Sequence, residues 1–141
     1  MAKMTIKGTD EYALKLSKLG KDAPVIARKV VIAGANPIAD EVRRSLEKNL
    51  TGSTYTKGDL LDSFGIAPVD VDKKGNTNTK VGFEGYDQKG VPNALKARAM
   101  ESGTSTQPKK PFMRPAVNRA KERAMQEMGK TLEASIKIYA L

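Results

Sequence analysis

The sequence predicts an α+β fold, in which two long amphipathic helices and shorter ones pack on a small, mainly antiparallel sheet. Three observations point there. Apolar residues recur at three- and four-residue steps over residues 22–50 and again over 114–139, the period of a helix with one buried stripe. Between them, "IAPVDVD" and "TKVGFEG" alternate at period two around "KKGNTN", whose Gly75 and Asn76 tolerate positive φ, the pattern of a hairpin. The 141 residues fit one domain, 1–141, with a core that needs no disulfide or metal.

The elements follow in chain order. Residues 3–7 alternate weakly. "GTDEYALKLSKLG" reads as a short helix capped by Thr9 or Asp10, with Tyr12, Leu16 and Leu19 on one face and Gly20 as its stop. A second start follows at once, with Asp22 as N-cap and Pro24 in the first turn. The stripe of this long helix is Ile26, Val30 or Val31, Ala35, Ile38, Val42, Leu46 and Leu50, and Pro37 predicts a kink near Gly34. Next, "LTGSTYTKGDLLDSFG" gives a loop and a helical turn around Leu60, Leu61 and Phe64, with Asp59 near its start. After the hairpin, "VPNALKARAMESG" predicts a short helix capped by Asn93, with Leu95, Ala99 and Met100 inward and Gly103 closing it. The last helix carries Val117, Ala120, Ala124, Met128, Leu132 and Ile136 as its stripe. A two-stranded hairpin is marginal alone, so a third strand is expected from residues 2–7 or 106–113.

Composition removes whole classes of chemistry. With no Cys and no His, thiol nucleophiles, Cys/His zinc sites, Ser-His-Asp triads and imidazole bases are excluded. No phosphate-binding Gly-rich loop can be laid on the chain. "DVDKKGNTNTKV" has Asp70, Asp72 and Gly75 in calcium-loop positions, but Lys74 and Val81 stand where oxygen ligands belong, so calcium is rejected in favour of an exposed hairpin tip. Asp10 with Glu11, and Asp59 with Asp62, fit helix first turns, where the macrodipole favours negative charge. The opening residues lack a signal-peptide core and no window of about 18 apolar residues occurs, so neither a leader nor a membrane span is expected.

Charge is more suggestive. The formal net charge is +9, and Lys109, Lys110, Arg114, Arg119, Lys121 and Arg123 cluster with Glu122 as the sole local acid. Such a cluster can meet DNA phosphates, an acidic protein patch, or only water. Aromatic residues make up 5% of the chain, too few for the stacked rings of single-strand binders.

The segment "ESGTSTQPKKPFMRPA", residues 101–116, is a shaped connection rather than a plain linker. Gly103 ends the short helix, and Thr104 and Ser105 can bond the freed backbone. Pro108 and Pro111 stiffen the crossing, and Phe112 is placed to bury as a staple beside the last helix, with Pro115 in its first turn. Arg114 is then positioned to pair with Glu101 or to face a neighbour.

"GDLLDSFGI", "VGFEGYDQKGVPNALKARAMESGTS" and "PFMRPA" together resemble the tail-completion, or head-tail joining, family of long-tailed double-stranded DNA bacteriophages and prophages, typified by the gene-ten product of a lambdoid phage. The resemblance runs from about Leu16 through the last helix. It rests most on Glu101, Gly103, Thr104, Ser105, Pro111, Phe112, Arg114, Pro115 and Ala116, and upstream on Gly58, Leu60 and Ser63. It implies a non-enzymatic virion protein, without cofactor, made in the bacterial cytoplasm and acting as a ring where tail meets head. A junction subunit also needs loops that order on docking. Residues 51–57 with Tyr55 and 85–91 with Tyr86 are the candidates, since tyrosine gives large contact area at low entropy cost. The runner-up reading is a DNA-binding module using the basic last helix, with Lys109, Lys110, Arg114, Arg119 and Arg123 on phosphates.

Overall fold

The computed structural model describes residues 9–50 and 57–139. The fold is α+β. The element order is α1 (Thr9–Leu50), α2 (Lys57–Ser63), β1 (Phe64–Ile66), β2 (Asp70–Val71), β3 (Thr77–Asn78), β4 (Val81–Phe83), α3 (Asn93–Ser102) and α4 (Met113–Lys137).

The long helix α1 and α4 run antiparallel along each other. Asn49 of α1 donates to the carbonyls of Lys110 and Pro111 just before α4 begins. Further along, Glu41 meets Arg119, Gly34 meets Met128, and Asp22 accepts the hydroxyl proton of Tyr139 at the far end. The seam is built from small residues: Ala116, Ala120 and Ala124 are buried on α4, and Ala35 and Ala39 on α1. Small side chains let two helix backbones approach closely. At Gly34 the two helices are tightly fitted, since an added Cβ would lie 2.5 Å from Met128 Sδ.

The core gathers at the Leu50 end of this pair. Val42, Leu46, Leu50, Leu60, Met100 and Phe112 are fully buried there. Each such side chain contributes about 1.5–3 kcal/mol by leaving water. Phe64, Phe83 and Phe112 form a chain of rings, with Phe64 and Phe83 at 5.2 Å and Phe83 and Phe112 edge-to-face at 5.9 Å. The guanidinium of Arg43 lies 5.3 Å from the centre of the Phe64 ring.

Between α2 and α3 the chain makes one interrupted hairpin. β1 pairs antiparallel with β4 in the register Phe64↔Phe83, Gly65↔Gly82, Ile66↔Val81, and β2 with β3 as Asp70↔Asn78, Val71↔Thr77. At the tip, the Asp72 carboxylate accepts the backbone N–H groups of Lys74 and Asn76, and Gly75 has φ of 84°. The aspartate that matched a calcium loop is thus a turn-forming group.

Several expectations are corrected. α1 is one continuous helix, so Gly20 does not end a shorter one and Asp22 is not an N-cap. Pro24 lies inside the helix, where it frees the carbonyl of Gly20. Gly20 is exposed, a position where a freed carbonyl costs less than it would in the core. Pro37 also lies inside the helix, as expected of a proline within its long stripe. Leu16, on the apolar face read for that short helix, is 44% exposed, because α4 ends opposite Asp22 and leaves the first turns of α1 with no partner among the described residues. Leu95 and Leu132 also face outward, while Ala97 takes the inward place on α3. Asn93 does not cap α3; Pro92 is the cap residue, and the Asn93 side chain donates to the Glu84 carbonyl. Residues 106–113 form no strand, since their backbone is committed to the connection described below. The alternative third strand, residues 2–7, lies outside the described residues, as does Tyr55.

Candidate functional site

Glu101 sits in the last turn of α3 and reaches across to the start of α4. Its carboxylate accepts the backbone N–H groups of Phe112 at 2.8 Å, Met113 at 2.9 Å and Arg114 at 3.0 Å. A helix leaves its first four N–H groups without partners. Here three go to one carboxylate, and the fourth does not exist because residue 115 is proline. Burial pushes the Glu101 carboxyl up, but the bonds from Arg114, Met113 and Phe112, with the charge of Arg114, outweigh it and hold the group below the ordinary glutamate value.

The chain between these two helices is folded tightly. Gly103 ends α3 with φ of 77°, and its N–H donates to the Ala99 carbonyl. A Cβ there would come within 2.9 Å of the Lys109 backbone nitrogen, so conformation and space both require glycine. Thr104 and Gln107 exchange backbone bonds, and Lys110 N–H donates to the Met100 carbonyl at 2.7 Å. Phe112 is 1% exposed, as expected of a staple. Arg114 meets Glu101 through its backbone, while its side chain is exposed. Thr104 Oγ1 accepts from Thr106 N–H, whereas the hydroxyl of Ser105 has no partner among the described residues.

Beside this connection lies a groove of about 630 Å³ between the β1–β4 ladder and α3. Its walls include Phe64, Ile66, Val81, Phe83 and Ala97, with Phe112 at its base and Arg98 and Glu101 at its edge. Phe64, Ile66, Val81 and Phe83 share one sheet face, because they alternate with Gly65 and Gly82 at period two. On the opposite face the two glycines pair directly, with nothing within 4 Å of either hypothetical Cβ. Bonds from Glu84 N–H to the Ser63 carbonyl and from Ala67 N–H to the Lys80 carbonyl fix the ladder's alternation. Backbone groups of Ile66, Val81 and Phe83 therefore point to the outer edges, where none has a partner among the described residues. An open edge beside an apolar groove accepts an extended segment by strand addition. Sequence reading found the hairpin and not the groove; the signal was the pair of triplets "FGI" and "VGF", in which glycine separates large apolar residues on both strands.

The basic residues do not form one face. At 100° per residue, Arg119 and Arg123 flank the buried alanine stripe on one side of α4, and Arg114 and Lys121 on the other. Lys109 and Lys110 are exposed in the connection. Arg119 Nε donates to Glu41 at 2.9 Å, and that bond, with the charges of Arg119, Arg44 and Arg123, keeps the Glu41 carboxyl below its usual range against a smaller burial effect.

Tyr86 is 72% exposed on a segment that is tied down on both sides. The Asp87 carboxylate pairs with Lys96 and accepts the N–H groups of Lys89 and Val91, which holds its carboxyl below the ordinary range, and Tyr86 bridges to Pro92. These bonds hold the 85–91 segment against the start of α3 and leave Tyr86 exposed on its outer side.

No group of Cys, His, Asp or Glu able to hold a metal is found among the described residues, and no described helix is long and apolar enough to cross a membrane. No curated protein and no solved structure shows significant similarity to the chain. A family profile described as "Bacteriophage HK97-gp10, putative tail-component" matches residues 10–102. That stretch includes all but the first residue of α1, the hairpin, the groove strands and all of α3, and stops before the connection from Gly103 to the start of α4. With well over half of its length matched, the chain belongs to the HK97-gp10-like family of bacteriophage tail components.

Proposed function

We propose that the chain is a morphogenesis protein of a long-tailed phage or prophage that completes the tail or joins it to the head connector, as one subunit of a ring at that junction. It works by contact, without catalysis or cofactor, and its partners are other copies and neighbouring tail or connector proteins in the virion. The observation that carries this reading is the tail-component match over residues 10–102. The surfaces of the molecule support it: an apolar groove beside open strand edges at one end, and a helix that outruns its partner at the other. Deleting the gene should yield filled heads and separate tails that do not join. Normal infectious particles from the deletion would sink the proposal.

A second reading, contact with duplex DNA, is favoured by the net charge of +9. The division of the arginines between two sides of α4 and the pairing of Arg119 with Glu41 weigh against a single phosphate-binding stripe. Gel-shift titration across salt separates the two. Steeply salt-dependent duplex binding by the purified protein favours DNA contact, and no binding near physiological salt leaves assembly standing.

A further inference from the structure

We infer that residues 2–7 of one copy fill the hairpin groove of the next copy, so that neighbouring subunits are joined by an exchanged N-terminal strand. This rests on the assembly role proposed above and names the contact that role requires.

Four observations carry it. The groove is apolar and open, and it lies beside strand edges whose backbone groups lack partners among the described residues. Ile66 at its mouth is 36% exposed. The occupant that suits such a site alternates apolar and polar residues, presenting one side chain in two to the groove while its backbone joins the ladder. "AKMTIK", residues 2–7, has that pattern, with Ala2, Met4 and Ile6 on one side and Lys3, Thr5 and Lys7 on the other.

Geometry then decides between the same chain and a neighbour. The groove flanks the Arg43 region of α1, since the Arg43 guanidinium covers Phe64. Roughly 50 Å of continuous helix separates Thr9 from Arg43 at 1.5 Å per residue. An extended chain covers at most about 3.6 Å per residue, so Met4 lies no more than about 18 Å from Thr9, whatever precedes it. The segment cannot turn back to its own groove. The first turns of α1, with Leu14 at 73% and Leu16 at 44% exposure, project beyond Asp22, where α4 stops. That overhang, about 20 Å long, sets the start of α1 at the end of the molecule away from its own groove. Because arm and groove are different surfaces, the contact is head-to-tail and closes into a ring when the rotation permits.

The test uses the full chain and two variants, Ile6→Asp in the arm and Ile66→Asp in the partly exposed wall of the groove. In sedimentation equilibrium the unaltered chain should associate as concentration rises. Each variant should weaken association roughly ten- to hundredfold, the worth of one buried aliphatic side chain. Mixed together, the two variants should form dimers and nothing larger, because the intact arm of one fits the intact groove of the other. The absence of cysteine permits a second measurement that does not depend on either Asp variant folding. An Ile6→Cys chain mixed with a tagged Ile66→Cys chain should give a disulfide-linked pair containing both. An unaltered chain that stays monomeric to about 1 mM, an Ile6→Asp chain that associates undiminished, or failure of the mixed disulfide would overturn the proposal. Failure of the assembly role is distinguishable: arm exchange with a harmless gene deletion removes that role alone, whereas a monomeric chain with a joining defect removes the exchanged arm alone.

Discussion

Replacing Glu101 with alanine strips three backbone N–H groups of their acceptor at the start of α4. Losing an ordinary N-cap costs about 0.5–2 kcal/mol, and removing a negative charge from a helix N-terminus adds about 0.3–1 kcal/mol. Phe112 and Met113 are partly shielded, so their amides recover water poorly, while the amide of Arg114 is exposed and recovers it. Because the carboxylate is itself partly in solvent, screening keeps the total near the middle of these ranges, about 2 kcal/mol. Urea unfolding followed by circular dichroism at neutral pH should show this loss, and Glu101→Gln, which keeps a carbonyl but no charge, should lose about half as much. The pH dependence has a definite sign. A carboxyl whose folded pKa is lowered contributes fully above the unfolded value and loses that contribution as pH falls through the folded one. The gap between the unaltered chain and Glu101→Gln should therefore be widest near neutrality and narrow below about pH 4. A loss under about 0.5 kcal/mol for Glu101→Ala, or a Gln gap that is the same at acid and neutral pH, would refute this account of the cap.

Three other outcomes are expected. Phe112→Ala, which removes a ring that is 1% exposed and stacked edge-on against Phe83, should cost about 3–5 kcal/mol in the same assay; a negligible loss would mean that the ring is not part of the core. Gly34→Ala should trade a better helix former against a clash with Met128, so that combining it with Met128→Ala gives a favourable coupling of about 1 kcal/mol in a double-mutant cycle. Tyr139→Phe should speed amide hydrogen exchange in the last turn of α4 by removing the bond to Asp22. That bond, with burial and the Asp22 charge, holds the Tyr139 hydroxyl above its usual range, so its contribution is complete below the ordinary tyrosine value and disappears as pH rises through the raised one.

Much of this fold was legible because its signals are local. The stripe from Ile26 to Leu50, the alanines of α4, the Gly75 turn and the Gly103 stop each follow from spacing or from a residue type that few conformations accept. What escaped depended on surroundings. Gly20, Asp22 and Pro24 form a locally consistent stop and start, yet the helix runs on through them at an exposed stretch and Asp22 is held by Tyr139, 117 residues away. The role of Asn93 was misjudged for a similar reason, since its side chain is drawn to the Glu84 carbonyl across the hairpin base. Phe112 was correctly expected to be buried, yet the carboxylate that caps the helix behind it comes from a different helix, at a separation that no capping pattern encodes. The groove was invisible for the same reason, being a relation between the sheet and α3 rather than a property of either.

The bond from Glu101 to α4 also changes what the connecting segment is for. Residues 103–111 form a detour around a junction that one side chain also closes, so α3 and α4 are joined directly through the carboxylate as well as through the loop. The loop's own bonds, Thr104 with Gln107 and Lys110 with Met100, hold its course separately. Residues 104–106 are exposed at its crest, the part of such a connection where changes in length or composition are best tolerated. The family match stops at Ser102, just before this connection, so the cap that Glu101 forms joins the matched part of the chain to the helix that follows it.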